Sequence, residues 1–554
     1  VTDSSADRWK NGRDWLVPGA LAGAACVAVS LLSLAGTRAQ TVDDVFILLV
    51  HARHLARDGV IAWNLRDGHV DGCTSFLDLL IKSFAYRFVS EDSLQNDFYI
   101  TCALQAVVPL IGAGLIAWLA RSGGPRRAIA AGMLAGMLLG TSPALADGSS
   151  YLLETPLVAA TGLLLLGTFV LAERFTAPVL ALLVVEAILV ALARPEGALL
   201  GAGALAAVTL DPARRPAVTD GQRAWLAFSG TMALYYAWHL QYFGFLAPNT
   251  YYAKTSSVRL NEIEDGLHYV ADYARTLPGA IALLPILVLP LAVVRGRLSA
   301  AARFNVGVLA AAALGTLTAV IYSGGDCYTG GRFLALPIAI GGWGLVVAWL
   351  AATGTARAAL LASAVGVAFA QTVGVLMKVP DARDQVQSWP LKDDTFQCVG
   401  LFAAALQRAV PGGSVAETDY QLVKYYADGL EVIDLPGLSD RAIAHRPEPG
   451  HVRWGKTDLA DVLRRRPEAF LWGTTPSRDR SMAEVSPRQL VSEYRTHRYF
   501  TRTKELPPKE IADGLVDLYL TASIPICGRP FNLLVRKDVA PRFTETGFTV
   551  GSAE

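Results

Sequence analysis

The chain has 554 residues, of which 53% are hydrophobic and only 18% charged, against roughly 25% charge in ordinary soluble domains. That excludes an ordinary soluble enzyme. Lys+Arg 49 against Asp+Glu 48 leaves a net charge of +1, so no global field gathers nucleic acid, and the electrostatics that matter are local.

Long Ala/Leu/Val/Gly runs fill the chain up to about Met377, after which the composition becomes that of a soluble domain. This predicts a polytopic α-helical membrane part over 1–377 and an α/β domain over 378–554. A helix needs about 20 apolar residues to cross a bilayer. Windows of that kind lie near 16–36, 98–120, 128–146, 151–172, 176–193, 196–210, 223–243, 277–294, 304–323, 333–351 and 358–377, about eleven transmembrane helices. The windows 176–193 and 196–210 are short and separated only by Arg194-Pro195-Glu196-Gly197. The first window reads as a retained helix rather than a cleaved leader.

Arg and Lys in short loops set orientation. With the N-terminus inside, Arg8, Lys10, Arg13, Arg121, Arg126, Arg127, Arg174, Arg214, Arg215, Arg223, Arg295, Arg297, Arg303 and Arg357 all fall on the cytoplasmic side. An odd number of spans then puts the tail outside. The outer loops hold Asp43 to Asp97, Asp147 to Glu154, Arg194 and Glu196, Ala247 to Thr276, and Gly324 to Arg332. Polar and acidic residues gathered on one membrane face mark a water-filled site.

Asp43 and Asp44 open a helical stretch running to about Arg57, with Asp44, Leu48, His51 and Leu55 on one face. One Asp can cap that helix; two beside a membrane suit a carboxylate that takes a proton from an attacking hydroxyl. Trp63, Asn64, Thr74 and Ser75 follow. Residues 75–88 carry Phe76, Leu79, Leu80, Phe84 and Phe88 as an apolar stripe, predicting a helix in the interface plane or packed on the bundle. In Ala247 to Lys254, Asn249, Tyr251 and Tyr252 accompany one Lys, which suits a phosphate headgroup or a snorkelling position. In Gly324 to Phe333, glycines permit close backbone approach to a ligand, Asp326 is acidic, and Arg332 stands where the next helix begins. Arg194 can pair simply with Glu196. The chain has no Walker A pattern, no HExxH and no CxxC.

In the tail, 395–410 has helical periodicity, and 414–418, 431–435, 468–472, 515–520 and 531–535 read as strands. Of the cysteines, Cys26 and Cys102 lie in spans. Cys398–Cys527 is the natural tail pair and Cys73–Cys327 a second candidate, against four free outer thiols.

The acidic pair in the first outer loop, the many spans and the outer tail resemble the GT-C glycosyltransferases, which take sugars from polyprenyl-phosphate carriers. Asp43-Asp44, Trp63-Asn64, Val70 to Ser75, Pro248 to Lys254 and Gly324 to Phe333 are similar to the arabinofuranosyltransferase B group of mycobacterial arabinan assembly and the enzymes that arabinosylate type IV pilin. Tail segments 414–419 and 432–440 resemble the outer domain of that group. Cys73 and Cys327 stand where the pattern has other residue types.

The resemblance implies a GT-C fold and a decaprenyl- or undecaprenyl-phosphate arabinofuranose donor. It further implies inverting transfer to an extracytoplasmic glycan or glycoprotein. Asp43 is expected as the base with Asp44 in support, and Lys254 and Arg332 at the donor phosphate with Arg194 and His51 in reserve. Trp63, Asn64, Thr74, Ser75, Asn249, Tyr251, Tyr252 and Asp326 are expected around the substrate. No cofactor is expected; a divalent metal is compatible with the family, although no oxygen cage is visible. The expected location is the bacterial plasma membrane, with the active site outside. A hexose donor, or a flippase for lipid-linked sugars, is the alternative; a transporter commonly shows paired repeats, and none is seen here.

Overall fold

The computed structural model describes residues 13–37, 42, 44–255, 259–328, 330–388, 394–417, 422–446, 456, 459–471 and 509–551. In chain order the helices are α1 (Arg13–Ala35), α2 (Asp44–Asp58), α3 (Phe76–Phe88), α4 (Ser93–Ala120), α5 (Pro125–Gly140), α6 (Pro143–Ser150), α7 (Thr155–Leu171), α8 (Ala177–Ala193), α9 (Gly197–Leu210), α10 (Val218–Phe243), α11 (Asn249–Lys254), α12 (Arg259–Arg275), α13 (Leu277–Arg295), α14 (Ala300–Tyr322), α15 (Ala335–Ala351) and α16 (Gly354–Ser388). A helix occupies each of the eleven predicted windows. Among the described residues, six of the helices are long and apolar enough to cross a membrane, or seven if the bent α5–α6 pair is one span.

The window 128–146 is not one straight helix. It breaks at Thr141-Ser142 and bends by 49°, because Pro143 lacks the N–H an unbroken helix needs and starts α6 instead. Small residues let α1, α4 and α5 approach closely: a side-chain carbon on Gly132 would lie 2.8 Å from the Ala113 carbonyl oxygen, and one on Gly136 2.5 Å from the Cys26 sulfur. α15 is buried from Ala335 to Ala348 and forms the axis of the bundle.

Among the described residues the tail forms a six-stranded sheet, with β1 (Ser414–Glu417), β2 (Glu431–Asp434), β3 (Ala469–Leu471), β4 (Tyr519–Ile526), β5 (Arg529–Arg536) and β6 (Thr549–Val550) in the order β2-β1-β3-β5-β4-β6. The first three are parallel and the rest antiparallel. The helix predicted at 395–410 is α17 (Asp394–Ala409). The strand predicted at 515–520 is corrected: a helix, Lys509–Leu518, ends there and β4 begins at Tyr519. Leu515 and Tyr519 are both buried, an i, i+4 spacing that serves a helix face as well as a strand.

β4 and β5 meet at Cys527-Gly528, with φ 53° and 71°, the left-handed pair that a tight two-residue hairpin requires. Cys527 bonds to Cys398 on α17, with Cα atoms 6.0 Å apart. The second predicted bridge is absent: Cys73 and Cys327 are free thiols.

The sheet domain packs on the bundle through α2, whose Val45, Phe46, Ile47, Leu49 and Val50 lie in one apolar core with Val415, Val432 and Phe402. β2 is an edge strand, and an exposed edge needs covering. Asn64 covers it like a neighbouring strand: its Nδ2 donates to the Val432 carbonyl at 2.9 Å, and its Oδ1 accepts the Val432 N–H at 2.9 Å. Trp63 Nε1 donates to the same carbonyl at 3.0 Å.

Candidate active site

A cavity of about 590 Å³ lies among α2, the loop before α3, α11, α12, the start of α9 and the segment between α14 and α15. Its polar lining includes Asp44, Thr74, Ser75, Glu154, Arg194, Glu196, Tyr251, Lys254, Asp326 and Arg332. Three motif loops thus converge from positions up to 288 residues apart, counting from Asp44 to Arg332.

The cations are not bare. Lys254 Nζ and Arg332 Nη2 stand 3.6 and 3.8 Å from Asp44 Oδ2. Arg332 Nη2 donates to Asp326 Oδ1 at 3.2 Å, and its Nε pairs with Oδ2 of the same carboxylate. Asp326 Oδ1 also accepts the Cys327 amide at 2.8 Å. Burial alone would raise the pKa of Asp326, but Arg332 and then Lys254 hold it below the usual carboxylate range. Burial works against the Lys254 ammonium too, but the negative groups around it, Asp44 foremost with Asp326, together outweigh it and raise its pKa, so Lys254 stays charged. Arg194 Nη1 reaches Glu154 Oε1 at 2.6 Å, and its Nε pairs with Glu196. Its guanidinium lies 4.1 Å from the Phe333 ring centroid, and that of Arg332 lies 4.9 Å from the same ring. The Phe333 ring adds a cation–π contact to each, and the carboxylates of Glu154, Glu196 and Asp326 offset the repulsion between the two like charges.

The charged cavity continues into an apolar trough. A second cavity, about 360 Å³, runs between α9 and α14 over Gly203, Ala207, Val308 and Ala312, and shares Glu196, Leu199, Gly315 and Ala319 with the first.

Not every predicted site residue arrives here. Asp43 lies outside the described residues. His51 is fully buried behind the cavity wall: its Nδ1 is 2.7 Å from the Ile47 carbonyl, and its Nε2 is 3.1 Å from the Val70 carbonyl and 3.4 Å from the Gly72 nitrogen. Burial lowers the pKa of His51 to about 4, so it is a neutral brace rather than a cation for phosphate. Trp63 and Asn64 hold β2. Asn249 donates through Nδ2 to the carbonyls of Gly437 and Leu438 at 2.8 and 3.1 Å. Tyr252 packs 4.3 Å from His445 and 5.5 Å from Phe245. These residues dock the sheet domain onto the motif loops. Among the described residues, no group of three or more His, Cys, Asp or Glu is placed to hold a metal.

Some polar residues escaped the sequence reading. Lys82 is buried with Asp78 at 3.0 Å and Asp97 at 2.9 Å, and donates to the Leu152 carbonyl at 3.0 Å. Leu152 has φ 58°, so Lys82 pins an unusual backbone turn just before Leu153 and Glu154 enter the cavity wall. The i, i+4 spacing of Asp78 and Lys82 was the available signal. Asp71 and His239, 2.9 Å apart, are separated by 168 residues and leave no local signal.

No protein-family model matches the chain, and no curated protein sequence matches it. Among solved structures, it is similar to that described as "Crystal Structure of ArnT from Cupriavidus metallidurans bound to Undecaprenyl phosphate". The match has 15% identity and a TM-score of 0.46, covering 81% of this chain and 91% of that one. Likeness at that level carries nothing about activity.

Proposed function

We propose that the chain is a membrane glycosyltransferase of GT-C type, moving a sugar from a polyprenyl-phosphate donor to an acceptor hydroxyl with inversion. The observation that supports it is the joining of two cavities: Lys254, Arg332 and Arg194 cluster at the head of an apolar trough between α9 and α14. A prenyl chain fits the trough, and its phosphate fits the cations.

The chemistry then follows from charge. The acceptor oxygen attacks the anomeric carbon, the bond from that carbon to the phosphate oxygen breaks, and the polyprenyl phosphate leaves with the electron pair. Lys254 and Arg332 face the negative charge that grows on the leaving group, where fixed cations stabilise the transition state most. The acceptor proton passes to Asp43, the base that the sequence motif suggests; Asp44 keeps Lys254 and Arg332 aligned. Arabinofuranose is the proposed sugar, on the strength of the motif loops. The proposed setting is a bacterial plasma membrane with the cavity facing outward.

The test is an assay in reconstituted membranes with synthetic polyprenyl-phosphate pentose and hexose donors. Release of polyprenyl phosphate coupled to glycosylated acceptor is the expected result, with the pentose preferred. Movement of intact donor across the bilayer without cleavage would overturn the reading.

A further inference from the structure

The cavity loops at 70–75 and 245–254 come from different parts of the chain, and one buried pair ties them together. Asp71 is at the centre. Its Oδ1 accepts the Cys73 N–H at 3.0 Å, its Oδ2 faces His239 Nε2 at 2.9 Å, and its backbone carbonyl accepts the Asn249 N–H at 2.7 Å. His239 is 1% exposed on α10. Its other nitrogen, Nδ1, lies 2.6 Å from the Phe245 carbonyl.

A carbonyl can only accept, so Nδ1 must carry a proton. A neutral ring then has none for Nε2, yet Nε2 faces a carboxylate oxygen at hydrogen-bond distance. One further proton therefore sits between Nε2 and Asp71. The pair thus bonds the start of one cavity loop to the start of the other. Beyond Asp71 stand Gly72 to Ser75, and beyond Phe245 stand Ala247, Tyr251 and Lys254, all on the cavity wall. Gly72 has no slack: a side-chain carbon there would lie 2.8 Å from His51, 2.8 Å from Ser439 and 2.9 Å from Ile47.

We propose that Asp71 and His239 are a positioning pair, which sets Lys254 and the 72–75 loop at the spacing a donor phosphate and its sugar require. Neither residue touches the donor; they act through the loops. This rests on the donor-site reading above.

Substitution separates hydrogen bonding from bulk. In Asp71→Asn the amide oxygen still accepts from Cys73, while the amide nitrogen donates to Nε2 of a neutral ring, so both links survive. Asp71→Ala loses both. His239→Phe keeps the packing against Tyr235 and Phe243 but loses both ring bonds.

The experiment measures polyprenyl monophosphate binding by the full chain in detergent micelles, and amide hydrogen exchange in 71–75 and 245–250. Asp71→Ala and His239→Phe are expected to weaken binding by about tenfold, the effect of one charge-assisted bond, and to speed exchange in both segments. Asp71→Asn is expected to restore both readouts to within about threefold of the parent. Parental binding in all variants, or Asp71→Asn failing like Asp71→Ala, would overturn the proposal. If the parent itself does not bind the phosphate, the donor-site reading fails, and exchange alone decides whether the pair holds the loops: unchanged exchange in His239→Phe refutes it. If His239→Phe does not fold, the contrast between Asp71→Ala and Asp71→Asn decides the matter by the same two readouts.

Discussion

Arg332 shows how much one side chain is asked to do. It is 8% exposed, shares Phe333 with Arg194, holds Asp326 through two nitrogens and faces Asp44. Replacing it or Lys254 by Ala should weaken donor binding by roughly 1.5–3 kcal/mol each, because each bond is charge-assisted and largely desolvated. Titration with a polyprenyl monophosphate measures this. Arg332→Lys should recover little, since an ammonium cannot span both Asp326 oxygens and stack on Phe333. Asp43→Asn should leave donor binding intact and lower turnover by at least about 100-fold, read as kcat in purified protein; near-parental turnover would move the base elsewhere. His51 gives a prediction of a different kind. Its pKa is about 4 folded, against 6.5 for a free imidazole. The unfolded chain therefore binds the proton first, and stability present above pH 6.5 is lost as pH falls toward 4. The loss is on the order of 3 kcal/mol. Melting in detergent across that range should show a shallower acid decline in His51→Gln than in the parent.

At the scale of elements, α3 and α17 carry the clearest consequences. α3 is capped by Ser75, which accepts the Asp78 N–H. It buries Leu79 and Lys82 while leaving Phe84 and Phe88 at 62% and 70% exposure. The apolar stripe predicted from sequence is thus split: one side closes on the bundle, and the other is bare enough to meet lipid. α17 is tied by Cys398 to the β4–β5 hairpin across 129 residues. Breaking so long a closure with Cys527→Ser should lower the stability of the sheet domain by roughly 2–4 kcal/mol. Peptide mapping of unreduced, alkylated protein should find Cys398 linked to Cys527, with Cys73 and Cys327 unlinked.

For the molecule as a whole, the sequence made the two-part architecture legible, because apolar windows and soluble composition are local signals. It also drew Asp44, Lys254, Asp326 and Arg332 into one group, since loops on one membrane face have few places to converge. It could not show the contacts of Trp63, Asn64 and Asn249, whose polar groups suit a sugar as well as they suit the backbone of β2 and the turn after it. Only tertiary contacts separate those uses. That docking has a consequence in time. Every side chain proposed to handle the donor is synthesised by residue 332, but the backbone that braces the motif loops lies at 432–440. β2 reaches the rest of its sheet through β1, and the antiparallel strands completing that sheet end at Val550. A nascent chain therefore passes through a long interval in the membrane with its reactive groups made and their brace unmade, and competence to bind donor arrives only after the strands of the sheet have been made.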